Sequence, residues 1–247
     1  MIDTSPARHW FMHTPHAAIG MGSAIKVLPP PSQTPLPETR TLRVGMVIGR
    51  DATWDVAAAH LAEHFDETPG LIVEHAWESA AAGDDVADAY DCLLLLGWPA
   101  ATDRPRLKQI EWHCRGGGPL VALRTLNAEV PGWPDFAEEV FGGRQPAARW
   151  SRLLEVERSD VAWYHPVVDG VEAMLAEGEV YHGPRLSPLA TVLLTADDGR
   201  GPAPVAWTTR HAGGRIFCST LGHDDDFRER AFLRLISNAI RWAGTRA

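Results

Sequence analysis

The sequence predicts an α/β protein built on a mainly parallel central sheet with helices on both faces. Three observations predict it. From Thr41 onward, strand-length apolar runs alternate with segments whose apolar residues recur at the helical period, the signature of βαβ units. The first four runs are continuously apolar and do not alternate, as strands covered on both faces must be. The chain has 247 residues, 45% hydrophobic and 22% charged, enough for a sizeable core and ordinary for a globular protein.

Residues 1–40 stand apart from this pattern. Val27 to Arg40 reads VLPPPSQTPLPETR, a proline-rich stretch that cannot donate a regular ladder of backbone hydrogen bonds and favours extended polyproline conformations. It is expected to tether Met1 to Lys26, either as a flexible arm or as a segment that packs on another subunit of a homo-oligomer. His9, His13 and His16 in this arm read as solvated side chains. Residues 41–247 are expected to form the α/β domain.

Its first half supplies the parallel strands: RVGMVIG (Arg43 to Gly49), LIVEHA (Leu71 to Ala76), DCLLLLG (Asp91 to Gly97) and PLVALR (Pro119 to Arg124). Between them, Asp51 to Phe65 places Trp54, Ala57, Ala58, Leu61 and Phe65 on one helical face, and Asp103 to Arg115 does the same with Leu107, Ile110 and Cys114. Gly116, Gly117 and Gly118 stop the second helix, with left-handed C-cap geometry expected there.

The second half reads as shorter strands that extend or flank the sheet: Arg152 to Glu157, Glu179 to His182, Thr191 to Thr195, Val205 to Thr209 and Arg215 to Thr220, with turn signals at Asp198-Gly199 and Gly213-Gly214. The closing DFRERAFLRLISNAIRWA is amphipathic: Phe227, Ala231, Phe232, Leu235, Ile236, Ala239 and Ile240 oppose a stripe of arginines. Asp226 is the expected N-cap, with Glu229 at the capping-box distance.

Charge and cysteine content narrow the partners. Lys and Arg total 23 against 32 Asp and Glu, a net charge of -9 that repels phosphate backbones and anionic lipid, so nucleic acid is not an expected partner. Cys92, Cys114 and Cys218 are odd in number and lack Cys-x-x-Cys spacing, which argues for a reducing, cytoplasmic setting and against a disulfide framework or a thiolate zinc site. No apolar run approaches the roughly 18 to 20 residues that span a bilayer, and no secretory signal is read at the start.

In an open parallel sheet, ligands sit beyond the carboxyl ends of the strands. Gly49, Arg50, Asp51 and Trp54 follow the first strand. Gly97 and Trp98 follow the third, Arg124, Thr125 and Asn127 the fourth, and the GHDDD loop (Gly222 to Asp226) the last. Together they would give a crevice holding an arginine, an aspartate, a histidine and two indoles. Such a mixture suits a neutral polyhydroxylated ligand, whose C–H faces stack on indoles and whose hydroxyls meet the charged groups. Asp51 serves equally as a helix start and Trp54 as core. Arg124, at the end of a buried strand, needs a carboxylate or ligand partner. His223 has no evident structural duty, and a histidine there can exchange protons near neutral pH or ligate a metal.

Other patterns carry less. His60-Leu-Ala-Glu63-His64 matches the H-x-x-E-H spacing of inverted zinc peptidases but follows a parallel strand, the wrong context. The glycine triplet precedes a strand, so it is no phosphate loop. No G-x-S-x-G or G-x-C-x-G elbow is present, and all three cysteines fall inside apolar elements, which removes the support for serine- or cysteine-nucleophile chemistry.

The assembled motifs resemble the trehalose-utilisation (ThuA-like) family. HPVVDGV (His165 to Val171), EVY (Glu179 to Tyr181), PVAWTTRHAGGRIFCSTLGHDDDF (Pro204 to Phe227) and FLRLISNAIRWA carry the resemblance. GGGPLVALRT and WPDFAEEVFGG are similar to one branch of the family. The likeness covers roughly Thr41 to Ala243. It implies a flavodoxin-like three-layer sandwich related to class I glutamine amidotransferase-like domains, and a small sugar or keto-sugar ligand.

The chain departs from the branch in two places. LNAEV follows the Arg-Thr strand end, with Asn127 where that branch has a histidine, and RQPAAR replaces a Gly-His-His segment; His165 and His223 are retained. Two classes stay open: a carbohydrate-processing enzyme of hydrolase, lyase or isomerase type, and a non-catalytic sugar-binding or assembly module. In the first, His223 exchanges a proton and Arg124 holds an oxygen that gains negative charge. Asp51, Trp98, Thr125, Asn127, Tyr181 and His165 bind the substrate. No metal ligand set is assigned, and the residues leave the cofactor open.

Overall fold

The computed structural model describes residues 40–49, 53–76, 89–144, 149–180 and 185–245. The expected arm lies outside the described residues, as do Asp51 and Tyr181.

The first half folds as its apolar runs dictate. β1 (Leu42–Ile48), β2 (Leu71–His75), β3 (Cys92–Leu96) and β4 (Leu120–Leu123) pair in parallel in the order β2-β1-β3-β4. Every residue of β3 and β4 is buried, which is why neither strand alternates. β11 (Gly214–Ser219) adds to β4 in parallel, giving the 2-1-3-4-5 order of flavodoxin-like sheets.

Beyond β11 the sheet continues antiparallel through β10 (Pro202–His211), β9 (Thr191–Asp197), β6 (Arg149–Arg158) and β7 (Met174–Val180). The second-half strands therefore extend the central sheet. The strand expected over Glu179 to His182 starts earlier, at Met174. Its core-facing Met174 and Ala176 are separated by Leu175, which is 55% exposed, so the run reads as neither a buried nor an alternating strand. A separate pair is formed by β5 (Gly143–Arg144) and β8 (Arg185–Leu186).

Two helical layers complete the sandwich. α1 (Thr53–Asp66) and α4 (Arg230–Gly244) bury Trp54, Leu61, Phe65, Leu235, Ile236 and Ile240 on one face of the sheet. α2 (Arg104–Arg115) and α3 (Phe136–Phe141) bury Ile110, Cys114, Phe136 and Phe141 on the other. Trp207 of β10 packs against this second layer and donates its indole N–H to the Phe141 carbonyl at 2.8 Å. No helix among the described residues is long and apolar enough to cross a membrane.

The glycine triplet ends α2 with a left-handed residue as expected, whereas the cap expected for the closing helix is corrected. Gly116, the C-cap of α2, has φ -77°; the left-handed residue is Gly117 (φ +72°), where a Cβ would sit 2.2 Å from the Ala212 carbonyl oxygen. Gly117 is needed because two turns pack there backbone against backbone, and Gly118 because a Cβ would lie 2.3 Å from the His113 ring. At the closing helix, Asp226–Arg228 form only a 3-10 turn, and α4 begins at Arg230 with no side-chain cap on Glu229. Asp226 does not cap that helix because its carboxylate is engaged elsewhere.

Candidate functional site

The carboxyl ends of the parallel strands are stitched into one rim. Gly49 N–H donates to Leu96 O at 2.7 Å, Gly97 N–H to Leu123 O at 3.0 Å, and Arg124 N–H to Ser219 O at 2.8 Å. β1 is followed by α1 on one face of the sheet, and β3 by α2 on the other. The connections diverge between these neighbouring strands, and this is where an open sheet forms a binding crevice.

Arg124 and Trp54 occupy the α1 side of the crevice. The guanidinium carbon of Arg124 stands 5.3 Å from the indole centroid of Trp54. Trp54 is buried and meets Phe227 edge-on at 6.4 Å. Beneath it lies Gly97 (φ +70°), where a Cβ would be 2.5 Å from the Trp54 Nε1. Arg124 itself takes a left-handed backbone (φ +53°), a conformation that is costly for a residue with a side chain and that clusters at functional sites.

On the other side of the crevice, Trp98 is half-buried against Phe136 at 5.3 Å and donates its indole N–H to Glu129 O at 3.3 Å. Thr125 is buried, and its hydroxyl has no hydrogen-bond partner among the described residues. Asn127 is exposed and lines a cavity of about 590 Å³ together with Glu129, Trp133 and Arg144. Trp98 and Asn127 thus reach the α2 and α3 side of the molecule, whereas Arg124 leans towards Trp54 and α1.

His223 is half-buried in the loop after β11. The loop is organised by Asp226, whose Oδ2 accepts the N–H groups of Gly222 (2.8 Å) and His223 (2.9 Å), while Oδ1 accepts that of Glu177 in β7 (3.0 Å). Burial pushes the Asp226 carboxyl above the usual carboxylate range. The three backbone donors oppose that rise, and the nearby charge of Glu177 adds to it. Asp226 and Glu177 did not emerge from the sequence as site residues. Only the direction of β7, which no local pattern reveals, brings Glu177 to this loop.

His165 is the member of the expected set that the structure does not bring to this rim. It packs on Trp242 near the C-terminus of α4, ring centroids 5.2 Å apart, and its Nδ1 accepts the N–H of Val167 at 3.3 Å. Trp242 O in turn accepts from Arg215, at the amino end of β11. His165 and His223 therefore lie beside opposite ends of the same strand, so the rim that holds His223 does not hold His165 as an expected substrate-binding residue. A cavity of about 600 Å³ opens at this opposite rim, lined in part by Asp91, Gly117, Arg215 and Thr245; none of the site residues expected from the sequence lines it.

His64 of the H-x-x-E-H segment meets Ser237 Oγ of α4 at 2.9 Å, and burial lowers its pKa. This contact ties two helices together. Among the described residues, no group of three or more His, Cys, Asp or Glu side chains is placed to hold a metal ion.

Chemically, the rim offers a cationic donor on an aromatic face and a histidine on a braced loop. A guanidinium can stabilise an oxygen that gains charge, and an imidazole can give or take a proton.

A family model described as ThuA, trehalose utilisation, matches residues 46–243. No curated protein matches the chain. Among solved structures, the chain is similar to a ThuA-like protein of Parabacteroides merdae, with 19% identity and a TM-score of 0.63 over 83% of this chain and 91% of that one. A ThuA-like protein of Bacteroides uniformis gives 18% identity and a TM-score of 0.65 over the same shares, 83% and 91%. A cold-adapted β-galactosidase of Rahnella sp. R3 gives 13% identity and a TM-score of 0.53 over 82% of this chain but 31% of that one. At these identities the solved structures show a shared fold.

Proposed function

This chain belongs to the ThuA (trehalose utilisation) family, and from that premise we propose that it binds a small sugar or keto-sugar derivative at the rim formed by Trp54, Arg124 and His223, and processes it in carbohydrate catabolism. The observation that carries the reading is the Arg124 guanidinium held over the Trp54 ring at the switch point of the sheet. It holds a hydrogen-bond donor at the crevice, braced by the buried indole, and sugars present hydroxyls to such a donor. In this reading His223 exchanges a proton with the substrate, and Arg124 holds the oxygen on which charge develops. Thr125, with a buried hydroxyl and no protein partner among the described residues, contributes a hydrogen bond, Trp98 forms a wall, and Asp51 and Tyr181 are kept as substrate-binding residues on the sequence alone.

A cytoplasmic setting suits the three free, buried cysteines. Burial pushes their thiols up, Cys114 to about 12, which leaves them poor nucleophiles and sets the chain apart from cysteine-dependent amidotransfer. Kinship with class I glutamine amidotransferase-like domains is, on this view, one of fold alone.

The second reading is a non-catalytic sugar-binding module. It is favoured by Asn127, which stands exposed where the family branch that the sequence resembles has a histidine, and by the occurrence of this fold as a fraction of a larger enzyme chain.

A thermal-shift screen with trehalose, glucose and their keto derivatives, with and without divalent metal, followed by product analysis, tests both readings. His223→Ala is expected to abolish turnover with a melting temperature within a few degrees of the parent. Loss of folding would make His223 structural, and binding without product would favour the module.

A further inference from the structure

Four antiparallel steps separate β11 from β7, so β7 runs in the same direction as the parallel strands. Its carboxyl end therefore points towards the rim that carries Arg124 and His223. Asp226 makes the juxtaposition concrete: one buried carboxylate accepts the backbone N–H of His223 on one oxygen and that of Glu177, 49 positions from Asp226 in sequence, on the other. The backbones of Glu177 and His223 are thus held by a single side chain.

The Glu177 carboxylate is half-buried, and its charge opposes the ionisation of Asp226. No Lys or Arg forms an ion pair with it among the described residues. A carboxylate set beside another acid without a cation lowers stability, and such arrangements persist where a ligand supplies the missing partner.

Accepting the rim as a sugar site, we infer that Glu177 is a ligand-contacting residue of it and that Asp226 is the positioning residue that holds it there. Arg124 gives the ligand donors and Glu177 gives it an acceptor. A neutral polyol can meet both, because each hydroxyl accepts from a guanidinium and donates to a carboxylate. An anionic sugar cannot, since Glu177 repels it in a protein of net charge -9. The ligand class is therefore neutral sugars, with sugar acids and sugar phosphates rejected.

The test is Glu177→Gln in the full chain, read in two ways. Without ligand, the midpoint pH of the His223 Cε1–H resonance is followed by NMR. Removing a neighbouring negative charge is expected to move that midpoint down, while the melting temperature stays level or rises. With ligand, affinities for trehalose, glucose and their keto derivatives are compared with those for gluconate and glucose 6-phosphate. Glu177→Gln is expected to lose about ten- to a hundred-fold in affinity for the neutral sugars, the scale of a hydrogen bond to a charged group, and to narrow the gap to the anions. Glu177→Asp should recover part of the loss.

An unchanged His223 midpoint overturns the placement of Glu177, whatever the parent protein binds. A shifted midpoint with unchanged sugar affinity overturns its contact role. A parent protein that binds none of these sugars, with the midpoint still shifted, overturns the sugar reading and the contact role with it, and leaves the placement of Glu177 near His223 intact.

Discussion

Arg124 lies over the ring of Trp54, the guanidinium carbon 5.3 Å from the indole centroid, and it does so from a left-handed backbone at φ +53°. The two features are linked. The left-handed turn at the end of β4 sits at the same residue whose side chain reaches Trp54 of α1. The strain costs about 1–3 kcal/mol, whereas the cation–π contact returns only about 0.5–2 kcal/mol. Packing alone therefore gives little reason to keep an arginine here.

Arg124→Gly follows as a test. Glycine removes the strain but adds about 0.5–1 kcal/mol of unfolded-state entropy, so the net change in stability is expected to be close to zero. Sugar binding should fall below detection, because the donor is gone. Equilibrium urea unfolding beside isothermal titration would check this; a large loss of stability with binding retained would make Arg124 a structural residue.

Gly97→Ala attacks the same contact from below. The added Cβ would lie 2.5 Å from the Trp54 Nε1, at a φ of +70° that a side chain tolerates poorly. Both effects destabilise, together by about 2–4 kcal/mol, or a melting temperature lower by roughly 5–15 °C for a chain of this size. Displacing Trp54 should also weaken ligand binding in the fraction that folds. A melt within a degree or two of the parent would mean that the indole has room to move.

The sequence made the sheet legible where strands are buried on both faces. CLLLL in β3 can be little else, and the apolar stripe of α4 fixes which face it buries. What it concealed were contacts between distant segments. Asp226 has the spacing of a helix cap, yet three backbone N–H groups, one of them from β7, hold its carboxylate instead. His165 and His223 both belong to family-like motifs and are both expected at the site, but one lies beside each end of β11, a separation that motif order cannot express. Arg124, at a buried strand end, is expected from the sequence to need a carboxylate or a ligand. Its partner proved to be an aromatic face, which local pattern does not specify.

The acid limb of stability offers a final prediction, centred on His165. Burial, reinforced by the nearby Arg215 charge, lowers its pKa to about 4 from 6.5. Between those two values the unfolded chain holds a proton on this histidine that the folded protein does not. Acidification through that window therefore favours unfolding, and stability from His165 is complete above pH 6.5 and lost as the pH falls towards 4. The ring is partly exposed, so solvent screening reduces the effect to on the order of 1–2 kcal/mol. Asp226, whose pKa is raised, bends the curve in the opposite sense, so each pH must be compared between the parent and His165→Asn, where every other group cancels. Asparagine keeps an acceptor for the Val167 N–H and suits the start of a helical turn. Urea unfolding at pH 7.5, 6, 5 and 4.5 should show the difference between the two proteins shrinking steadily on the acid side. A constant difference across that range would mean that His165 is protonated alike in the folded and unfolded chains.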